Sequence, residues 1–283
     1  MMTREQRTGL ALMLPPALLL VAGFLLPLLF VLYTSFMPPR TFGLASPPTF
    51  ENYLTAFRES YWRPFAWSIF FATATTIATG LISWPIAKAL VRSSRRFAVT
   101  VSVLIAVPVF IAESVRLFGA HLFLMPRGGI LAGTIQYLFG LNIGSVLFTP
   151  LATLLGLFYI YLPFALFPMV LGLSLVPRDQ LEAAQDLGAS PWQQLRYIEL
   201  PVASPGIIIG SLLVFVLALG ATTEAHILGG QSAVPVVHAI EQRFNYAQDW
   251  PLGSALATVL CVITAALVFP LISRLNIDRL FSR

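Results

Sequence analysis

The stretch Glu182-Ala183-Ala184-Gln185-Asp186-Leu187-Gly188-Ala189, running on to Ile198-Glu199-Leu200-Pro201, is a polar island in an otherwise oily chain. Local chemistry gives it a definite shape. Asp179 can cap the first free amides of a helix, Glu182 three residues on completes a capping-box arrangement, and Gly188 is placed to end the helix in a left-handed conformation. A helix over about 180–187 follows. Ser190 offers a second N-cap, Pro191 suits the first helical position, Gln193 stands at the box position, and Pro201 stops this second helix. Ser204-Pro205-Gly206 repeats the cap-then-proline start and launches another helix. The expected product is two short helices with a sharp glycine bend.

Around this island, 57% of the 283 residues are hydrophobic and 10% charged, and the mean hydropathy is +0.82. That is more apolar surface than one soluble core can hide, so the chain belongs in a bilayer. Helices satisfy their own backbone there, and about 20 apolar residues cross about 30 Å of hydrocarbon. Six such stretches are predicted, at about 10–36, 64–91, 98–122, 147–175, 205–228 and 251–274. The first is too long for a signal-peptide apolar region and is read as retained, so the mature chain is expected to start near Met1.

An even number of spans puts both ends on one side, and the basic residues choose the side. With the N-terminus inside, the inner segments hold Arg4, Arg7, Lys88, Arg92, Arg95, Arg96, Arg178, Arg196, Arg274, Arg279 and Arg283, eleven of the 17 Lys and Arg. The other six are balanced by six acids, so the whole net charge of +5 lies inside. The basic balance reports topology and contact with membrane lipids; no nucleic-acid partner is expected. Cys261, the single cysteine, cannot form an intrachain disulfide and reads as a small packing residue.

Three outer segments are predicted: 37–63, with an amphipathic piece near Phe50-Glu51-Asn52-Tyr53; the glycine-rich 123–146; and 229–250, with Gly229-Gly230 and Asp249-Trp250-Pro251. No repeat or flexible linker divides the chain, which reads as one membrane domain over 1–283.

The spacing Glu-Ala-Ala, three residues, Gly, nine residues, Ile, one residue, Leu-Pro resembles the cytoplasmic coupling loop of binding-protein-dependent ABC importer permeases, here about 177–203. The resemblance implies an all-α membrane protein with the type I importer permease fold in the bacterial inner membrane, both termini cytoplasmic. It further implies that the loop sits in a groove of an ATPase dimer, with Glu182 meeting basic groups, Gly188 permitting the bend, and Ala183, Ala184 and Leu187 packing in the groove. Ile198, Leu200 and Pro201 complete the motif. A helix-cap role for Glu182 and simple helix propensity for the alanines are the alternatives. A second permease, identical or homologous, and a periplasmic or lipid-anchored solute-binding protein are the other implied partners. No Gly-rich phosphate loop ending in Gly-Lys-Ser or Gly-Lys-Thr occurs, so ATP and Mg are expected on the partner ATPase and no cofactor on this chain.

Beyond the loop, Phe50-Glu51-Asn52-Tyr53, Val107-Pro108, Arg116 with Gly119, Phe148-Thr149-Pro150, Leu162-Pro163-Phe164, Gly229-Gly230 and Arg243 through Asp249-Trp250-Pro251 resemble the first permease of spermidine/putrescine importers. This implies a polyamine or related small organic solute as cargo, with an opine or phosphonate as alternatives. Where those permeases often carry an acid before the Gly-Gly pair, this chain has His226, with Glu224 two residues earlier.

Charge at membrane depth is costly, so Glu113, Arg116, Glu224 and His226 are candidates for the translocation path. Glu113 and Arg116, three apart on a helix, can instead neutralise each other. Tyr159 and Tyr161 are candidates for cation contact, whereas Tyr61, Trp62, Trp67 and Trp250 fit an interfacial belt. His121, His226 and His238 lack metal-ligand spacing, so no metal site is expected. An intramembrane hydrolase or lipid-modifying enzyme would need paired catalytic groups at matched depth, and a passive channel would need no cytoplasmic lever.

Overall fold

The computed structural model describes residues 4–41, 43, 47–126, 129–140, 144–230 and 232–273, with side chains described from Leu12 onward. All regular structure among them is helical. Helix α1 (Arg4–Leu20) passes through a π-helical turn, Val21–Leu25, into α2 (Leu26–Ser35). The extra residue in that turn accommodates Gly23 and Pro27 without ending the helix. The other elements are α3 (Glu51–Arg58), α4 (Trp62–Arg92), α5 (Arg95–Ala106), α6 (Glu113–Leu124), α7 (Ile130–Phe139), α8 (Pro150–Ser174), α9 (Arg178–Asp186), α10 (Pro191–Gln194), α11 (Leu200–Leu219), α12 (Val236–Asn245) and α13 (Trp250–Ile272).

Among the described residues, five helical stretches are long and apolar enough to cross a membrane: Leu12–Ser35, Trp62–Arg92, Pro150–Ser174, Pro191–Leu219 and Trp250–Ile272. The predicted third span, 98–122, is not one rod. Arg95–Phe110 and Glu113–Leu124 meet at a bend of 103°, and the pair counts as a sixth span only if taken together. Pro108 stands in the 3-10 turn Val107–Phe110 that precedes the bend, where its missing N–H prevents the ladder from continuing. The predicted fifth span, 205–228, also differs: it starts earlier and its last helix ends at Leu219.

The chain forms two compact units. The first comprises residues 1–63 and 236–263. Here Asn52, buried on α3, donates through Nδ2 to the carbonyls of Ser35 (2.9 Å) and Met37 (2.6 Å), closing the end of α2. Thr34 donates to Ser254 on α13 at 2.8 Å, and the hydroxyls of Ser35 and Tyr53 pair at 2.7 Å. Arg243 on α12 donates to the Tyr61 hydroxyl (2.6 Å) and the Glu59 carboxylate (2.8 Å), while Asp249 accepts from the Arg40 and Leu252 amides. Two stretches distant in sequence, 50–61 and 243–252, therefore share one polar framework. Cys261 is exposed on the apolar surface of α13 and is not a packing residue of the chain's own core; a thiol is apolar enough for such a surface.

The second unit comprises residues 64–235 and 264–283. Its centre is the pair α8 and α11, whose glycines let backbone touch backbone. A Cβ on Gly172 would lie 2.8 Å from the Ala203 carbonyl oxygen, and one on Gly210 would lie 2.9 Å from that of Ala165. Small residues of this kind are how helices associate where no water drives them together. Beside them Ala87, Leu90, Leu166, Met169, Leu173 and Ala203 form an apolar cluster joining α4 to the pair. Many large apolar side chains elsewhere, including Leu81, Phe110 and Leu171, face outward, as lipid-facing residues do.

Candidate functional site: a polar elbow and a buried carboxylate

The polar island folds as an elbow between α8 and α11. α9 begins at Arg178 with Pro177 as its N-cap residue, and no side chain caps it. The expected Asp179–Glu182 capping box is absent because the helix starts earlier than predicted. Asp179 already lies in the first turn, where it complements the helix dipole, and Glu182 projects exposed beyond it. At the other end Gly188 has φ +78° and donates to the Gln185 carbonyl at 2.8 Å, while the Ala189 amide donates to Ala184 at 2.9 Å. This is the glycine bend the sequence called for.

Ser190 then builds a complete capping box. Its amide donates to Gln193 Oε1 (2.7 Å) and its Oγ accepts from the Gln193 amide (3.3 Å). Pro201 does not stop the helix that follows. A π-helical turn, Leu195–Glu199, widens the register so that the Leu200 amide bonds to the Leu195 carbonyl, and the chain runs through Pro201 and Pro205 as α11. The loosened turn leaves room for a residue without an N–H. Ser204 consequently starts nothing: its hydroxyl donates to the Pro201 carbonyl at 2.8 Å.

Ala183 and Leu200 are exposed on this elbow, Ala184 and Ile198 half-buried, and Leu187 is 89% exposed. Trp192 and Tyr197, not singled out from sequence, are exposed too. Apolar side chains thus stand in the open on an otherwise polar segment, as they do on surfaces that bind other proteins. Glu199 was also missed. It is 2% exposed, and its carboxylate accepts from Lys88 Nζ at 2.7 Å and Arg92 Nη2 at 2.9 Å. A cleft of about 590 Å³ opens beside it, lined by Lys88, Arg92, Arg178, Glu182 and Gln185 among others.

The second cluster lies where helices break. α11 ends at Leu219, and after Gly220-Ala221-Thr222 a short helical piece carries Glu224 into the π-helical turn Ala225–Gly229. Glu113 opens α6 just after the 103° bend. Glu224 is 0% exposed, and neither carboxylate oxygen makes a hydrogen bond of good geometry among the described residues. Glu113, Arg116 and Tyr161 stand close enough to act on it electrostatically.

Glu113 and Arg116 form no ion pair within the described residues, contrary to the neutralising alternative, and Arg116 Nε lacks a partner. Tyr161 is 6% exposed on the face toward Glu224, whereas Tyr159 is 46% exposed. Two residues along a helix point to nearly opposite sides, which explains the split. His226 is exposed, unlike Glu224. His121 braces the same broken segment, its Nδ1 lying 3.0 Å from the Ile227 carbonyl oxygen, and the Phe148 amide donates to Leu228 O at 2.7 Å.

Apolar helices long enough to span a membrane, joined through an exposed polar elbow rooted in α8 and α11, make up a multi-pass membrane subunit. Residues 86–282 match the family described as binding-protein-dependent transport system inner membrane component, and the chain belongs to that family. It is accordingly a multi-pass inner-membrane permease. It is 32% identical over 260 residues to the spermidine/putrescine transport system permease protein PotB of Haemophilus influenzae, covering 88% of each chain. It is 30% identical over 249 residues to PotB of Escherichia coli K12, covering 86% of this chain and 89% of that one. A bacterial alginate ABC transporter, solved in complex with alginate pentasaccharide-bound periplasmic protein, has the same fold. That match has a TM-score of 0.75 at 14% identity and covers 95% of this chain and 93% of the other.

Proposed function

We propose that this permease subunit imports a polyamine or a closely related small organic cation, driven by an ATPase dimer that docks on the elbow within the loop of about 177–203. The observation that carries the coupling role is the elbow's construction. Its two helices are fixed by the left-handed Gly188 and the Ser190 box, and its second half continues without a break into α11. A push on such a segment must move the spanning helices. Glu182, Ala183, Ala184, Leu187, Gly188, Ile198, Leu200 and Pro201 form this dock, with ATP and Mg held by the ATPase.

In this reading both termini are cytoplasmic, the chain is one membrane domain, a second permease subunit completes the path, and a periplasmic or lipid-anchored binding protein delivers cargo from the other side. The likeness to PotB supports a polyamine cargo, and the buried Glu224 supports a cationic one. Glu224 is the attractive group of the path, Glu113 and Tyr161 its neighbours, and Arg116 the residue that keeps the site from trapping a cation. The unpartnered Arg116 Nε favours one second reading, a zwitterionic or anionic cargo such as an opine or phosphonate.

The test is reconstitution. The chain is purified with the ATPase and second permease expressed beside it, placed in proteoliposomes with the binding protein, and assayed for ATP-dependent uptake of labelled spermidine. Co-purification of the ATPase and saturable uptake are expected. Uptake of a phosphonate with no uptake of spermidine would replace the cargo, and absence of the ATPase from the purified complex would remove the coupling role.

A further inference from the structure

We propose that the Lys88–Glu199–Arg92 clamp is the tie by which the elbow moves α4, with Glu199 a positioning residue for coupling and not a dock for the ATPase. The inference rests on the elbow being the ATPase's point of attachment. α8 and α11 are chained to the elbow directly, but α4 is not, and must be moved through contacts.

Two kinds of contact are present. The first is the apolar cluster of Ala87, Leu90, Leu166, Met169, Leu173 and Ala203, which holds the helices together by area and shape without a directed bond between any two atoms. The second is the clamp, and it does fix register. Lys88 and Arg92 are four apart on α4 and so lie on one face, a turn from each other. They grip different oxygens of one carboxylate: Oε2 goes to Lys88 and Oε1 to Arg92. A group held at both oxygens by donors one turn apart resists sliding along α4 and rotation about it.

Its burial points the same way. The Glu199 side chain is 3% exposed, against 28% for Lys88 and 57% for Arg92, so the acid is the fixed element and the cations reach in to it. The π-helical turn ends at Glu199 itself, and the one-residue change of register that such a turn introduces sets the direction of the residue that closes it. α9 contributes Arg178, Glu182 and Gln185 to the cleft beside the clamp without bonding to Glu199. Apolar residues of similar volume hold buried helices together as well as ion pairs do. What the ionic trio adds is direction.

The experiment follows the tie itself and does not depend on the cargo. Spin labels are placed at Gln180→Cys on the elbow and Ser94→Cys beyond the end of α4, in a Cys261→Ser background, within the complete complex in proteoliposomes. The label-to-label distance is measured with ADP and with ATP. With the clamp intact the pair moves as one body and the distance holds. In Glu199→Gln, and in the all-apolar triple Lys88→Met/Arg92→Met/Glu199→Leu, the two distances separate by several ångström. The triple carries the test if Glu199→Gln does not accumulate, since no charge is then left buried. The charge-mirrored triple Lys88→Glu/Arg92→Glu/Glu199→Lys brings the distance back to a single value. A triple that keeps the wild-type constancy overturns the inference. Loss of the ATPase from the wild-type complex overturns the elbow reading instead, and the two failures are told apart by co-purification.

Discussion

Gly172 on α8 and Gly206 on α11 face each other across a helix contact so close that a Cβ on Gly172 would sit 3.0 Å from the Gly206 Cα. The contact lies near the membrane end of the elbow and holds together the two helices on which the elbow stands. Replacing Gly172 by Leu forces these backbones apart, at the roughly 1–3 kcal/mol typical of overpacking. The expected result is a lower melting temperature in detergent and less inserted protein, where Gly133→Leu, in open space on α7, leaves both unchanged.

Gly188→Val should act without disturbing the membrane core. No atom stands in the way of a side chain there, but φ is +78°, where a β-branched residue is strained by about 1–2 kcal/mol. The second elbow helix then leaves its angle, and uptake is lost while insertion and thermal stability persist. Normal uptake by this variant would remove the bend from the mechanism.

Glu182 and Ser190 separate contact from capping. Ser190→Ala removes one half of a formed capping box and should cost about 1 kcal/mol of local helix stability. Glu182 caps nothing, so Glu182→Ala should leave helix stability as it is and lower the yield of ATPase in the purified complex. Equal yields from the wild type and Glu182→Ala would assign the ATPase contact to other residues.

Glu224→Gln removes the charge and keeps the shape. A carboxylate buried without a hydrogen bond of good geometry among the described residues is costly in the folded chain, so the variant should be at least as stable as the parent while spermidine uptake falls. Kinetics unchanged over a range of spermidine concentrations would take Glu224 out of the path, and increased uptake would point to an anionic cargo and to Arg116.

Much of this was legible in the sequence, and the failures have physical causes. The Ser190 box and the Gly188 bend were readable because each depends on residues within a few positions. The Asp179 cap failed because Pro177 took the N-cap place and moved the helix start upstream. Pro201 was read as a stop because proline ends an α-register, and nothing in the residue pattern announced the π-helical turn before it. Hydropathy found the third span, but it averages over direction and is blind to a 103° bend. Glu199 escaped notice because its meaning lies in partners 111 and 107 residues away. Charge at membrane depth did mark Glu224, though not that Tyr161 and not Tyr159 would face it.

The two helix interruptions have a consequence for hydration. A helix that ends leaves its last carbonyls without partners in their own ladder, and hydrocarbon offers none. α11 ends at Leu219, just before Glu224, and the turn Val107–Phe110 ends just before Glu113. Tight turns meet part of that need, the Ala221 amide bonding to the Ala218 carbonyl and the Ile111 amide to the Pro108 carbonyl, so each acidic residue follows a helix end drawn closed on itself. On the proposed path, an ammonium group arriving there would exchange its hydration shell for the carboxylates, and would leave again once water returned to take its place.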